Sequence, residues 1–249
     1  MVLLKMSHLN KIYNGKINVR AISDLNLDVE KGEFLGIMGP SGSGKTSLLN
    51  MIATIDPPTS GQVSINGENP YALNFDQLAA FRRQKLGFIF QSFNLLDTLT
   101  VKENIFLPLT LDGAALSDMK DKLKRIAGRL GIEHILDKRP YEISGGEAQR
   151  TAIARAIIHN PELFLADEPT GNLDSKNSTD VMQLLERLNH EEQATILLVT
   201  HDPQAASYCS RVVFIKDGEL YNELYRGDNQ TDFYRRIMDT LKLLGGSSS

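Results

Sequence analysis

No run of 18 consecutive apolar residues occurs in this 249-residue chain, and Met1-Val2-Leu3-Leu4-Lys5 has no charged region ahead of a hydrophobic one. A bilayer-crossing helix needs about 20 apolar residues, and a secretory leader needs that charged-then-hydrophobic order. The expectation is a chain that stays in the cytoplasm. Cysteine is almost missing: Cys209 stands alone, which excludes an internal disulfide and a cysteine metal cluster and agrees with a reducing compartment. Basic residues are not in excess, with 27 Lys and Arg against 31 Asp and Glu for a net charge of −4, which argues against nucleic acid as a partner. What is plentiful is apolar content. At 41% hydrophobic the chain can pack one large α/β domain or two small ones. Residues 245–249, Gly-Gly-Ser-Ser-Ser, read as a flexible tail outside the folded unit.

The stretch that organises the rest is Gly39-Pro40-Ser41-Gly42-Ser43-Gly44-Lys45-Thr46-Ser47, which matches G-x-x-x-x-G-K-[ST] at every fixed position. Polyphosphate oxygens need several backbone N–H groups converging on one point, and glycine lets the backbone approach that closely. Lys45 adds a point charge for the outer phosphates and Thr46 a hydroxyl for Mg²⁺. Glu33 to Met38 reads as a buried strand and Ser47 to Ala53 as a helix with apolar positions 48, 49, 52 and 53, so strand, glycine loop and helix follow in the required order.

The first thirty residues alternate apolar and polar, an antiparallel β lead-in. Tyr13 falls in the loop between its strands; its ring can stack on an adenine or pack as a strand-end tyrosine, and the residues alone fit both. Phe75 to Lys85 reads as a helix, and Leu86 to Phe90 as a buried strand delivering Gln91 to the carboxyl edge of a sheet, where open α/β sheets bind ligands. From Val101 to Asn160 the pattern turns helical, over Val101 to Leu111, Ser117 to Leu130 and Glu147 to His159, which implies a helical subdomain. Ser144-Gly145-Gly146-Glu147 opens the last of these helices. It reads either as a second anion site, because uncapped N–H groups and the positive dipole end point outward, or as a plain N-cap with a tight turn.

Leu163 to Ala166 is an apolar strand ending in Asp167 and Glu168, two carboxylates that a core would not hold without chemistry. Asp167 is placed for the Mg²⁺ shell and Glu168 to take a proton from an attacking water. A turn at Gly171 to Asp174 precedes a helix over Lys176 to His190, and the strand Thr195 to Thr200 brings His201 to the same edge. His8, His134, His159 and His190 read as ordinary loop or surface residues. A hairpin near 212–220 follows, then a helix with Phe233, Ile237, Met238, Leu241 and Leu244 on one face that must dock on something.

With these residues in place the chain resembles the nucleotide-binding subunit of ATP-binding-cassette transporters over nearly its full length. Tyr13 is similar to the adenine-stacking loop, Gly39 to Thr46 to the Walker A loop, Gln91 to the Q-loop and Ser144 to Glu147 to the signature. Asp167 and Glu168 are similar to the Walker B end, Asp174 to the D-loop and His201 to the switch histidine. Any two can coincide by chance; seven in the family's order do not. The signature departs at Ile143 and Glu147 from the commonest form, Leu-Ser-Gly-Gly-Gln, while its Ser-Gly-Gly is intact. Residues 90–96 and 166–174 are similar to the branch of macrolide exporters, lipoprotein-release systems and bacitracin-resistance transporters, and residues 51–61 with the extended tail helix are most similar to the last.

The resemblance implies an α/β fold with a P-loop core of mixed or parallel sheet, over residues 1–91 and 161–228, that also carries the antiparallel β subdomain. It adds a helical subdomain near 92–160 and a C-terminal helix near 230–244, all one domain over 1–244. It implies an ATPase using ATP and Mg²⁺, with Glu168, His201, Lys45 and Gln91 catalytic and Thr46, Gln91 and Asp167 at the metal. Nucleotide contacts fall to Tyr13, Gly39, Ser41, Gly42, Ser43, Gly44, Lys45, Thr46, Ser47, Ser144, Gly145, Gly146, Glu147 and Asp174. A helix from Glu147 to His159 sets its tip roughly 20 Å from the strand it feeds, at about 1.5 Å per residue, so the signature should reach the nucleotide of a second, head-to-tail copy. The implied setting is the cytoplasmic face of the cell membrane, beneath a separate permease, in resistance to bacitracin and other antimicrobial peptides. Alternatives are a signalling cassette that controls a membrane partner without transport, and a lipoprotein-release or macrolide-export ATPase.

Overall fold

The computed structural model describes residues 1–245; the remainder of the Gly/Ser tail, 246–249, lies outside the described residues. Nine strands and eight α-helices alternate through the described residues. The lead-in strands β1 (Val2–Tyr13) and β2 (Val19–Glu30) pair antiparallel, and β4 (Ser60–Ile65) joins β1 on its other side. Alternation buries Leu4, Met6 and Leu9 on one face of β1, with an irregularity at His8, where φ is +51°, that keeps Leu9 facing inward. A side-chain period of two allows no other way to keep both on one face.

The second sheet has the order β5-β6-β7-β3-β8-β9, with β3 (Phe34–Met38), β5 (Leu86–Phe90), β6 (Leu163–Asp167), β7 (Thr195–Val199) and β8 (Arg211–Lys216) all parallel. Only β9 (Glu219–Tyr225) runs antiparallel, as the far arm of a hairpin. Every residue of β3 and β7 is buried, which is what continuous apolar runs demand of strands covered on both faces. Helix α1 (Lys45–Ile52) and the three-stranded sheet cover one face, sharing a core of Leu35, Ile37, Leu48, Ile52 and Val63. The other face packs Phe34, Ile196 and Phe214 against α3 (Val101–Leu111), α4 (Leu116–Leu130), α5 (Gly145–Ile157) and α6 (Ser175–Glu192), so the helical stretch shares a continuous core with the sheet. The short α7 (Pro203–Ala206) follows β7.

Helices α2 (Phe75–Lys85) and α3 begin and end where periodicity placed them. Both start on a capping box, Asn74 with Gln77 and Thr100 with Glu103. Several expectations are corrected. Tyr13 is the last residue of β1, opposite Val19, not a loop residue. Gly145, Gly146 and Glu147 are already inside α5, because Ser144 is its N-cap. Gly245 is not in a flexible tail but closes α8 (Gln230–Gly245), whose Phe233, Ile237 and Leu244 bury into this chain's own core. His159 is not a surface residue: its Nε2 bonds the Leu86 carbonyl at 3.1 Å and burial lowers its pKa.

Candidate functional site

Because the five strands are parallel, their carboxyl ends gather on one edge. There β3 runs into Gly39, β6 into Glu168, β5 into Gln91 and β7 into His201. The Gly39–Thr46 loop is held by contacts only hydrogen permits. A Cβ on Gly39 would stand 2.2 Å from the Ile215 carbonyl oxygen, and one on Gly44, where φ is +103°, would stand 2.2 Å from that of Ala21. Gly44 is also the N-cap of α1 and offers no side chain, so the first N–H groups of the helix have no side-chain cap. With the dipole's positive end behind them they form an anion cradle. Ser43 Oγ is buried there without a partner. Lys45 Nζ donates to the Gly39 and Pro40 carbonyls, each at 2.9 Å. Burial lowers the Lys45 pKa, while the nearby Glu168 and Asp167 charges act against that shift.

Across the edge, burial raises the Asp167 pKa, the charge of Glu168 raises it further and Lys45 opposes both. Glu168 adopts a left-handed backbone, φ +47°, a conformation that costs a non-glycine residue about 1–2 kcal/mol. Its N–H donates to the Val199 carbonyl and its own carbonyl accepts from Gly171 N–H, each at 2.9 Å, which hold the turn in place. The carboxylate meets His201 squarely: Oε1 is 2.7 Å from Nδ1 and accepts the His201 backbone N–H at 3.1 Å. Thr200 Oγ1 donates to Oε2 at 3.2 Å. Glu168 is 17% exposed and His201 74%, so the imidazole bridges a half-enclosed carboxylate and solvent. A proton on Nδ1 serves the carboxylate and leaves Nε2 as an acceptor in the neutral ring or a donor in the imidazolium. Gln91 packs against the same turn: its backbone carbonyl accepts from Asn172 Nδ2 at 3.0 Å, and a Cβ on Gly171 would stand 2.5 Å from its side-chain Nε2.

Tyr13, 40% exposed, is steered by its hydroxyl, which donates to Asp56 Oδ2 at 2.9 Å and lies 3.3 Å from Ser47 Oγ. Lys11 pairs with Asp56 and lies 4.9 Å from the Tyr13 ring centroid. The ring thus sits over the start of α1, beside the phosphate loop. Ser144, Gly145 and Gly146 keep different company. Gly145 lies against Leu173 and Phe93, and Gly146 against Asn177, whose Oδ1 a Cβ would meet at 2.2 Å. Asn177 in turn donates to Asp174, the N-cap of α6, so the signature tip and Asp174 are one packed unit.

The model of the ABC transporter family matches residues 22–171, more than half of the chain. The chain belongs to the ABC transporter family. It is an ATP-binding cassette, and ATP hydrolysis is the activity of its class. It is 58% identical over 247 residues to the ABC transporter ATP-binding protein YxdL of Bacillus subtilis, covering 99% of this chain and 96% of that one. Against the bacitracin export ATP-binding protein BceA of Halalkalibacterium halodurans it is 50% identical over 248 residues, 99% and 98% of the two chains. The ATP-binding cassette MJ0796, solved as a dimer in a post-hydrolysis state with ADP and Pi, superposes with a TM-score of 0.83 at 39% identity, over 91% of this chain and all of that one.

Several supports of this cassette were not singled out by sequence reasoning. Thr200 was read only as the end of a strand, yet it holds Glu168. Asp56 holds the Tyr13 hydroxyl from 43 positions away, a relation that only the fold creates, while Lys11, two residues earlier on the same strand, lies over the ring. Gln149 Nε2 donates at 2.6 Å to the Pro169 carbonyl, and Arg155 donates to the carbonyls of Phe93 and Asn94, tying α5 to both loops of the edge. Asp174 itself carries a signal, since Asp just before a helical pattern marks an N-cap.

Proposed function

We propose that this cassette works as a head-to-tail pair beneath a separate permease on the cytoplasmic face of the membrane, powering resistance to bacitracin-class peptides. The full-length likeness to BceA is the observation that carries the peptide reading. The pairing is supported by the neighbours of Gly145 and Gly146, which belong to the Asp174 unit and the Gln91 loop, not to the chain's own phosphate cradle. An isologous two-fold arrangement gives each cradle a signature tip from the other copy.

In that arrangement the Gly39–Thr46 backbone and Lys45 bind the ATP phosphates, Tyr13 stacks on the base, and Ser144 and Gly146 approach the terminal phosphate from the other side. The Thr46 hydroxyl, the Gln91 amide and the Asp167 carboxylate suit Mg²⁺, a hard cation that takes a few oxygen ligands and leaves the rest of its shell to phosphate and water. No cluster of three His, Cys, Asp or Glu competes for a metal among the described residues, and Asp167 is a carboxylate raised by burial that a cation would relieve. Bound there, the ion would offset phosphate charge. Glu168 takes the proton of the attacking water, and His201, held through Nδ1, presents Nε2 to the phosphate.

Among the described residues no helix is long and apolar enough to cross a membrane. A groove of about 450 Å³ beside Gln91, lined by Leu86, Phe88, Phe90, Leu107, Leu111 and Arg155, suits a short permease helix that follows the motion of the Gln91 loop. Co-purification of this chain with a permease from membranes, followed by reconstitution of that complex, tests the reading. Bacitracin-class peptides should stimulate ATPase turnover several-fold; turnover indifferent to such peptides but responsive to macrolides or lipoprotein would reassign the substrate.

A further inference from the structure

The signature tip carries a carboxylate where the commonest form of the motif has a neutral amide, and the structure pairs that carboxylate with a histidine. Ser144 N–H donates to Glu147 Oε2 at 2.8 Å and the Ser144 hydroxyl donates to the same oxygen at 2.7 Å. The other oxygen, Oε1, lies 3.1 Å from Nε2 of His134, which sits in a single turn between α4 and α5. Glu147 is only 18% exposed and His134 is 64% exposed.

This creates a conflict in a tip that must meet a polyphosphate. Phosphate oxygens only accept hydrogen bonds, so the Ser144 hydroxyl can bond one only by turning its proton away from Glu147 Oε2. The carboxylate then faces the incoming phosphate with one fewer hydrogen bond and its full charge. Glutamine at this position would have no such charge to offset. The Glu147 pKa lies at about 2, held down chiefly by the Ser144 N–H and hydroxyl and less by His134, so the group is a full anion at neutral pH.

We propose that His134 is a positioning residue for the signature. It anchors Glu147 through Oε1, so that the carboxylate stays turned from the phosphate and the Ser144 hydroxyl is released toward it. The inference rests on the head-to-tail reading above and assigns His134 no contact with nucleotide.

The test is ATP-dependent dimerisation of the full chain, followed by sedimentation in a Glu168→Gln background that does not turn over. His134→Ala should raise the ATP concentration at half-dimerisation by about two- to fivefold, the scale of an exposed ion pair. His134→Gln, whose amide N–H reaches where Nε2 stood, should restore it. In a Glu147→Gln background the same His134→Ala change should shift nothing, because no charge remains to be anchored. An equal shift in both backgrounds, or none in either, overturns the role of His134. If the Glu168→Gln parent stays monomeric with ATP, the pairing itself falls and the inference with it. His134 is too exposed for its loss to unfold the chain, and an unchanged melting temperature of the variant verifies this.

Discussion

Glu168, the proposed base, sits in a backbone conformation that its side chain does not favour. A left-handed φ on a side chain of this size persists only where neighbours over-determine it, and here Val199, Gly171, Thr200 and His201 all bond the residue. The same turn lifts the carboxylate out of the plane of β6 and onto the His201 ring, while Asp167, one position earlier, remains on the strand opposite Val199. Glu168→Gln keeps the size and most of the bonds but removes the base. Turnover should fall by about a hundredfold, the usual scale for a general base, with ATP affinity retained. Single-turnover hydrolysis beside equilibrium nucleotide binding measures the two separately, and near-normal turnover would remove Glu168 from the role.

At the scale of elements, the glycine loop between β3 and α1 is shaped by close approach as much as by flexibility. Gly44 and Gly67 both have positive φ, but a Cβ at Gly44 would drive into the Ala21 carbonyl while one at Gly67 would meet nothing within 4 Å. Gly67→Ala should therefore cost only the conformational term, about 1 kcal/mol. Gly44→Ala must in addition push β2 from α1, and should abolish nucleotide binding while lowering stability by more than Gly67→Ala does. Denaturant unfolding and fluorescent-nucleotide titration of the two variants give the comparison; equal stability losses with binding intact would contradict the steric account. Asn66-Gly67 is a turn dipeptide and Gly44 a fixed position of the phosphate loop, so both are legible as loop glycines. What the sequence could not convey was that one faces a backbone carbonyl 23 positions earlier and the other faces solvent.

For the whole molecule, the phosphate cradle and the signature tip lie on one chain but in separate packed units. The cradle leans on β2 and β8, and the signature tip leans on Asn177 and Asp174. A head-to-tail pair then has a definite genetic signature. Lys45→Ala and Ser144→Arg should each abolish hydrolysis alone, yet their mixture should recover activity, because a mixed dimer contains one composite site with both parts intact. A mixture no more active than its components would place both parts of each site in one chain. The length of the helix behind the signature pointed to the pair; in the proposed pairing, the packing of Gly146 against Asn177 keeps the signature tip with Asp174 and apart from the chain's own cradle.

The candidate site residues were legible along the chain. The phosphate loop, the acids ending β6, the histidine after β7 and the glutamine after β5 are each local patterns at strand ends, and a parallel sheet brings strand ends to one edge whatever else the fold does. Helix limits with strong caps, as at Asn74 and Thr100, were legible for the same local reason. Tertiary structure alone decided the supports: Asp56 under Tyr13, Thr200 on Glu168, His134 on Glu147, and α8 on the chain's own core. These are contacts between elements, and a hydrogen-bond partner 13 or 43 residues away leaves no periodicity to read.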